Sequence, residues 1–344
     1  MLADRLRIHT FRGNWFFPWV VQRYLRTSFS GLTVRKACNA LRACMEMKTA
    51  RTSAGSLPFV LRVEPTNVCN LRCPRCSCGI GTDPRPKGYM KLSDFESILD
   101  ACRNHAILLR LDGNGEPTLH PHIFDMIRIA KSNRLSVSMS TNFSTPACDQ
   151  AEEFVRSGLD RLVIAIDGNT QESYEKYRVG GKLDVVEQRV RRVVETRARI
   201  GKSAPLIEVQ FLDWDYNHDE IESVRKKADA LGADKFQVIA PDWAVTHAKT
   251  NPSKPHRCLW LWCILTVDWD IRYRSCTNAW TLPWPRVSLR DVPPAEFWNH
   301  SSMKEARLYN IDKTSGVVAA DSGCHCNNCS DMLVVNRPPN YVCE

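Results

Sequence analysis

The chain has 344 residues, a formal charge of +9 and fifteen cysteines. That length allows one large domain and a smaller one. It is too long, and its cysteines too clustered, for a small disulfide scaffold. No apolar run reaches membrane-spanning length. The basic residues are spread along the chain, not gathered on one face with a binding motif, which excludes a nucleic-acid reading. They read as a solvated surface that helps to attract an anionic cofactor or substrate.

The first 58 residues read as a basic, helical extension, with apolar residues at helical spacing from Leu32 to Lys48. Within it, Trp15 to Val21 is too short for a signal peptide and reads as a packing segment, so a cytoplasmic protein without membrane contact is expected. Thr52 to Ser56 reads as a linker. Strand and helix patterns then alternate. Strands are expected at Phe59–Val63, Ile107–Leu111, Leu135–Ser140, Leu162–Ile166, Leu206–Phe211 and Phe236–Ile239. Helices are expected at Ser93–Cys102, with Ser93 as N-cap and Glu96 three residues on, and at Ile123–Ser132, Cys148–Ser157, Leu183–Ile200 and Asp219–Leu231. Such alternation implies a parallel sheet. Six units are too few for a closed eight-fold barrel, so the expected fold is α/β, a partial (βα)6 TIM-like barrel over residues 59–245. Ligands of such a sheet gather at the carboxyl ends of its strands. From 246 to 344 the alternation stops. Tryptophans become dense and cysteines return, which reads as a small cysteine-rich domain held by metal more than by a large core.

The most informative feature follows the first strand. Cys69, Cys73 and Cys76 stand in a C-x3-C-x2-C run. Three soft thiolates on one short loop suit three irons of a [4Fe–4S] cluster and leave the fourth iron open. A structural zinc site would need a second C-x2-C pair or two histidines nearby, and none is there.

The triplet resembles the cluster motif of the radical S-adenosylmethionine (radical SAM) superfamily. The resemblance covers nearly everything from Phe59 onward. It implies that the open iron binds S-adenosylmethionine and that an electron from the cluster cleaves it to a 5′-deoxyadenosyl radical, which removes a hydrogen atom from an unactivated C–H bond. Gly113-Asn114-Gly115-Glu116-Pro117 is similar to the family's Gly-Gly-Glu-Pro segment, so Gly115, Glu116 and Pro117 are cofactor-binding candidates. Thr141 and Asn142 resemble the polar strand end beside the cofactor. Asp167 belongs to a stretch similar to Ser-x-Asp-Gly, in which Ala165 replaces the serine. Arg178 sits where relatives place an arginine near the site, and the stem of Arg75 stands where they pack adenine.

The C-terminal cysteines resemble the SPASM/twitch extension. Cys258, Cys276, Cys326 and Cys329 match the form holding one auxiliary [4Fe–4S] cluster, with two clusters as the alternative because Cys263, Cys324 and Cys343 are left over. Such a cluster is able to accept an electron from a substrate radical. The resemblance thus implies oxidation of a small molecule such as a sugar, polyol or aminocyclitol, with flavodoxin or ferredoxin as external electron donor. The alternatives are a peptide maturase, making a crosslink or an epimer, and a redox-neutral epimerase. The latter would take a hydrogen from a free thiol, for which Cys263, Cys324 and Cys148 are candidates. Sulfatase-maturing relatives carry an aspartate after the cysteine matching Cys276, where this chain has Thr277.

Overall fold

The six expected strands and the five helices between them form in the expected order, with ends within three residues of those read from the pattern. The structure is a computed structural model that describes residues 31–239, 258–275 and 287–311. Its strands are β1 Val60–Val63, β2 Leu108–Leu111, β3 Ser136–Thr141, β4 Arg161–Ala165, β5 Leu206–Leu212, β6 Lys235–Ile239, β7 Ile264–Val267 and β8 Tyr273–Arg274. They make one sheet in the order β6-β5-β4-β3-β2-β1-β7-β8, parallel except for the β7–β8 pair. Stepping always in one direction through right-handed crossovers puts the connecting helices on one face of the sheet. Leu61, Val63, Leu109, Leu111, Val137 and Met139 join the hydrophobic core there. Arg62, Arg110, Asp112 and Ser138 alternate with them and so lie on the opposite face, free of connecting helices among the described residues and called the helix-free face below.

Three expectations need correction. The segment after residue 246 does not simply leave the barrel: β7 pairs in parallel with β1, Val60 opposite Ile264, and extends its sheet. The helix after the cysteine loop starts at Leu92 with Lys91 as N-cap and no side-chain cap, so Ser93 lies inside it. The chain is already fixed at Met90, whose N–H donates to Pro65 O at 2.8 Å. Residues 52–56 are no free linker. The Glu46 carboxylate accepts from Gly55 N (3.0 Å), Ser56 N (3.1 Å) and Ser56 Oγ (2.6 Å) and folds the chain back onto α1, Val34–Lys48. The short helix α5, Gln171–Tyr177, was not expected (α2 to α4 being Leu92–Cys102, Ile123–Ser132 and Ala151–Arg156). Thr170 starts it with a capping box closed by Ser173.

Candidate active site

The cysteine loop hangs from a clasped neck at the carboxyl end of β1. Thr66 Oγ1 donates to Gly88 O (2.6 Å), Asn67 Nδ2 to Pro86 O (2.9 Å), and Gly88 N to Asn67 Oδ1 (2.9 Å). Small turns shape the loop itself, with Cys76 N donating to Cys73 O and Ile80 N to Cys76 O. Arg72 N donates to Val179 O (3.0 Å), pinning the loop to the segment after α5. Cys73 is buried, while Cys69 and Cys76 are half-buried.

Among the described residues, no three His, Cys, Asp or Glu side chains stand close enough to share one metal ion. A four-iron cluster gives each thiolate its own iron, so three soft sulfurs spread along one loop fit it.

The Gly-Asn-Gly-Glu-Pro turn lies directly against this neck. A Cβ on Gly115 would stand 2.3 Å from Thr66 O and 2.6 Å from Val68 O, so only glycine allows the approach. Glu116 N donates to Val68 O (2.8 Å). The Glu116 carboxylate is buried and accepts from Thr118 N (3.0 Å), Thr118 Oγ1 (2.6 Å), Thr141 Oγ1 (2.6 Å) and Asn142 N (2.7 Å). Burial pushes its pKa up, against those four donors. The side chain thus clamps the end of β2 to the end of β3, and the backbone of the turn is what remains for a ligand. Asn142 Nδ2 donates to Asn70 Oδ1 (2.9 Å) and lies 3.9 Å from Cys69 Sγ, so it stands at the cysteine loop.

Asp167 is fully buried. Its Oδ2 accepts from Arg178 Nε (2.5 Å) and its Oδ1 from Leu212 N (2.7 Å). Burial pushes this carboxyl up, while Arg178 and the Leu212 N–H pull the other way. Arg178 in turn reaches Cys73, whose thiol is pushed up by burial and drawn down by that guanidinium. Arg75 lies over the Trp214 ring at 5.8 Å, and Trp214 packs on Tyr177 at 4.7 Å.

Two cysteine pairs were not anticipated. Cys78 hydrogen-bonds Cys69, and Lys87 Nζ is 3.2 Å from its sulfur; the two contacts draw Cys78 down to about 6, against burial. The same pairing, with burial, pushes Cys69 up. Far from this loop, Cys263 is fully buried against Cys44 of α1, and burial and that contact raise it well above the ordinary thiol range. Cys148 is buried beside Thr145 and Thr118, and burial pushes it up to about 11. Both thiols sit in packing. Cys258 is buried and its N–H donates to Asn310 Oδ1 at 3.2 Å. Cys276, Cys324, Cys326, Cys329 and Cys343 lie outside the described residues.

A parallel half-barrel with a three-cysteine loop after its first strand defines an enzyme scaffold. The family model described as Radical SAM superfamily matches residues 63–201, and the chain has that superfamily's fold, the scaffold of [4Fe–4S]- and S-adenosylmethionine-dependent enzymes. It is 27% identical over 181 residues to a tungsten-containing aldehyde ferredoxin oxidoreductase cofactor-modifying protein of Pyrococcus furiosus, covering 52% of this chain and 50% of that one. It is 26% identical over 176 residues to mycofactocin maturase MftC of Mycobacterium ulcerans, covering 51% and 46%. The chain thus spans about half the length of these curated relatives. Streptococcus suis SuiB bound to S-adenosylmethionine superposes with a TM-score of 0.61 at 13% identity, over 78% of this chain and 71% of that one. Among the described residues no helix is long and apolar enough to cross a membrane.

Proposed function

We propose that the chain cleaves S-adenosylmethionine reductively at the loop of Cys69, Cys73 and Cys76 and abstracts a hydrogen atom from a small polar molecule lying against the helix-free face of the sheet. The observation that carries this reading is the clasped three-thiol loop at the carboxyl end of β1, stitched to the Gly115–Pro117 turn. When bound, the cluster supplies the electron that breaks the sulfonium C–S bond. The protein's own residues do the rest. The three cysteines would hold the irons, Arg178, braced by Asp167, sets a positive charge beside Cys73, and the Asn142 amide stands beside Cys69. Gly115 lets the turn close on the neck, and Glu116 fixes that turn to β3. Cys258, Cys276, Cys326 and Cys329 would hold an auxiliary [4Fe–4S] cluster that takes an electron from the substrate radical, and a flavodoxin or ferredoxin would supply the first electron.

A second reading is peptide maturation, favoured by the match to a protein named as a maturase, mycofactocin MftC. Both readings meet one experiment. The reduced, reconstituted chain is incubated with S-adenosylmethionine and deuterated candidate sugars, polyols and peptides, and 5′-deoxyadenosine is analysed by mass spectrometry. Deuterium carried in from one class identifies the substrate. Absence of 5′-deoxyadenosine under every condition would remove the proposal.

A further inference from the structure

On the helix-free face, one register row crosses six strands. Arg274 lies opposite Thr266, Thr266 opposite Arg62, Arg62 opposite Arg110, Arg110 opposite Ser138, and Ser138 opposite Arg161. Register partners project from the same face, so four guanidiniums and two hydroxyls share it. Carboxylates stand among them. Asp112 takes Arg62 Nε and also Arg110, through Nε (2.9 Å) and Nη2 (2.8 Å). Glu208 takes Arg161 (2.6 Å), and Asp268 takes Arg274 (2.5 Å). The Trp260 ring lies under both Arg62 and Arg110, at 5.6 and 5.9 Å.

Arg62 Nη1 and Thr266 Oγ1 are both buried and have no hydrogen-bond partner among the described residues. Thr266 is 1% exposed, and the Arg62 side chain 11%. They belong to neighbouring residues in register on adjacent strands. Buried donors are almost always satisfied, and a charged one most of all. A neutral hydroxyl has two lone pairs and could accept from both, but it brings no charge to a row where two guanidiniums share the single Asp112 carboxylate. An oxyanion accepts from both at once and answers the charge.

We infer that Arg62 and Thr266 bind an anionic group of the substrate, a carboxylate or a phosphate, on this face of the sheet. This rests on the reading that the substrate lies against the helix-free face. It narrows the substrate from polar molecules in general to acids and phosphate esters.

The test titrates the full-length, cluster-loaded chain with inorganic phosphate and, separately, with malonate. Dissociation constants and melting temperatures are read for the wild type, Arg62→Gln and Thr266→Val. Saturable binding by the wild type is expected, weakened about tenfold or more in Arg62→Gln, as loss of a charge-assisted hydrogen bond requires. Thr266→Val is expected to weaken binding several-fold and yet to raise the melting temperature of the ligand-free chain, because it removes a buried hydroxyl that has no partner. A response to phosphate alone points to a phosphate ester, to malonate alone to a carboxylic acid, and either supports the site. No binding by the wild type, equal binding by both variants, or a lowered melting temperature for Thr266→Val overturns it. Should Arg62→Gln fail to fold, Thr266→Val decides. Formation of 5′-deoxyadenosine by the wild type, measured on the same preparation, separates the two claims. Cleavage without anion binding defeats this inference only; anion binding without cleavage defeats the proposed reaction only.

Discussion

The loops at the carboxyl ends of the strands and the helix-free face one row below them treat polar atoms in opposite ways. In the loops the polar side chains are consumed internally. Glu116 alone accepts four hydrogen bonds, and Asp167 is closed off by Arg178 and a backbone N–H. On the face, Arg62 Nη1 and Thr266 Oγ1 keep donors that no atom of the described residues meets. The residues that form a recognisable motif therefore build rigid walls, while residues that form no motif retain the capacity to recognise a ligand. Motifs identify a chemistry, and strand residues of unremarked type decide what it acts on.

The two regions meet at Arg85, and removing it tests the comparison most severely. Arg85 binds Glu64 at the end of β1, Asp83 on the cysteine loop (2.8 Å) and Asp268 after β7 (3.2 Å). Its side chain and all three carboxylates are nearly inaccessible. Arg85→Met would leave those carboxylates facing one another in the interior, and a loss of about 3–5 kcal/mol in denaturant unfolding is expected. A loss below about 1 kcal/mol would mean that water reaches the network.

Glu116→Gln probes the loop side. Three of the donors converge on Oε1 and one, Asn142 N, on Oε2, so an amide that keeps its oxygen at Oε1 leaves the Asn142 N–H and its own NH2 facing each other without an acceptor, at a cost of about 2–4 kcal/mol. The opposite sign expected for Thr266→Val on the face makes the contrast sharp, because the same kind of change, loss of a polar function, moves stability in opposite directions.

A smaller effect is expected at Asp112. Burial raises its pKa, but Arg110 and Arg62 more than offset this and hold it down at about 2. The ordinary aspartate value is about 3.9. A carboxyl whose folded pKa is depressed contributes stability that is present above the unfolded value and lost as the pH falls through the folded one. The margin of wild type over Asp112→Asn should therefore include a part of about 2–3 kcal/mol at pH 7 that disappears between about pH 4 and pH 2. A margin independent of pH over that range would show that Asp112 is not held by the two arginines.

The sequence carried the barrel and the cluster loop well, for physical reasons. Alternating strand and helix periodicity leaves few parallel topologies, and the C-x3-C-x2-C spacing is a local property of eight residues. What it did not carry depends on distant pairing. Ile264–Val267 lies beyond the strand–helix alternation that marks the other strands, and its partner Val60–Val63 lies some two hundred residues earlier. Cys69–Cys78 depends on how the loop curls, and Cys44–Cys263 on how α1 packs. Glu116 reads as a cofactor residue from its motif, and only the folded positions of Thr118 and Thr141 reveal where its carboxylate is used. The polar row is invisible in any single strand because each contributes one residue to it.

The central claim is that Cys69, Cys73 and Cys76 hold a cluster with one iron open to S-adenosylmethionine. Low-temperature electron paramagnetic resonance of the reduced, reconstituted chain, with and without S-adenosylmethionine, tests it most directly, with the Cys69→Ala/Cys73→Ala/Cys76→Ala variant alongside. The account predicts a reduced-cluster signal whose g values shift on adding the sulfonium compound and which is missing, with its shift, from the triple variant. A signal indifferent to S-adenosylmethionine, or a shift that survives loss of the three cysteines, would contradict it.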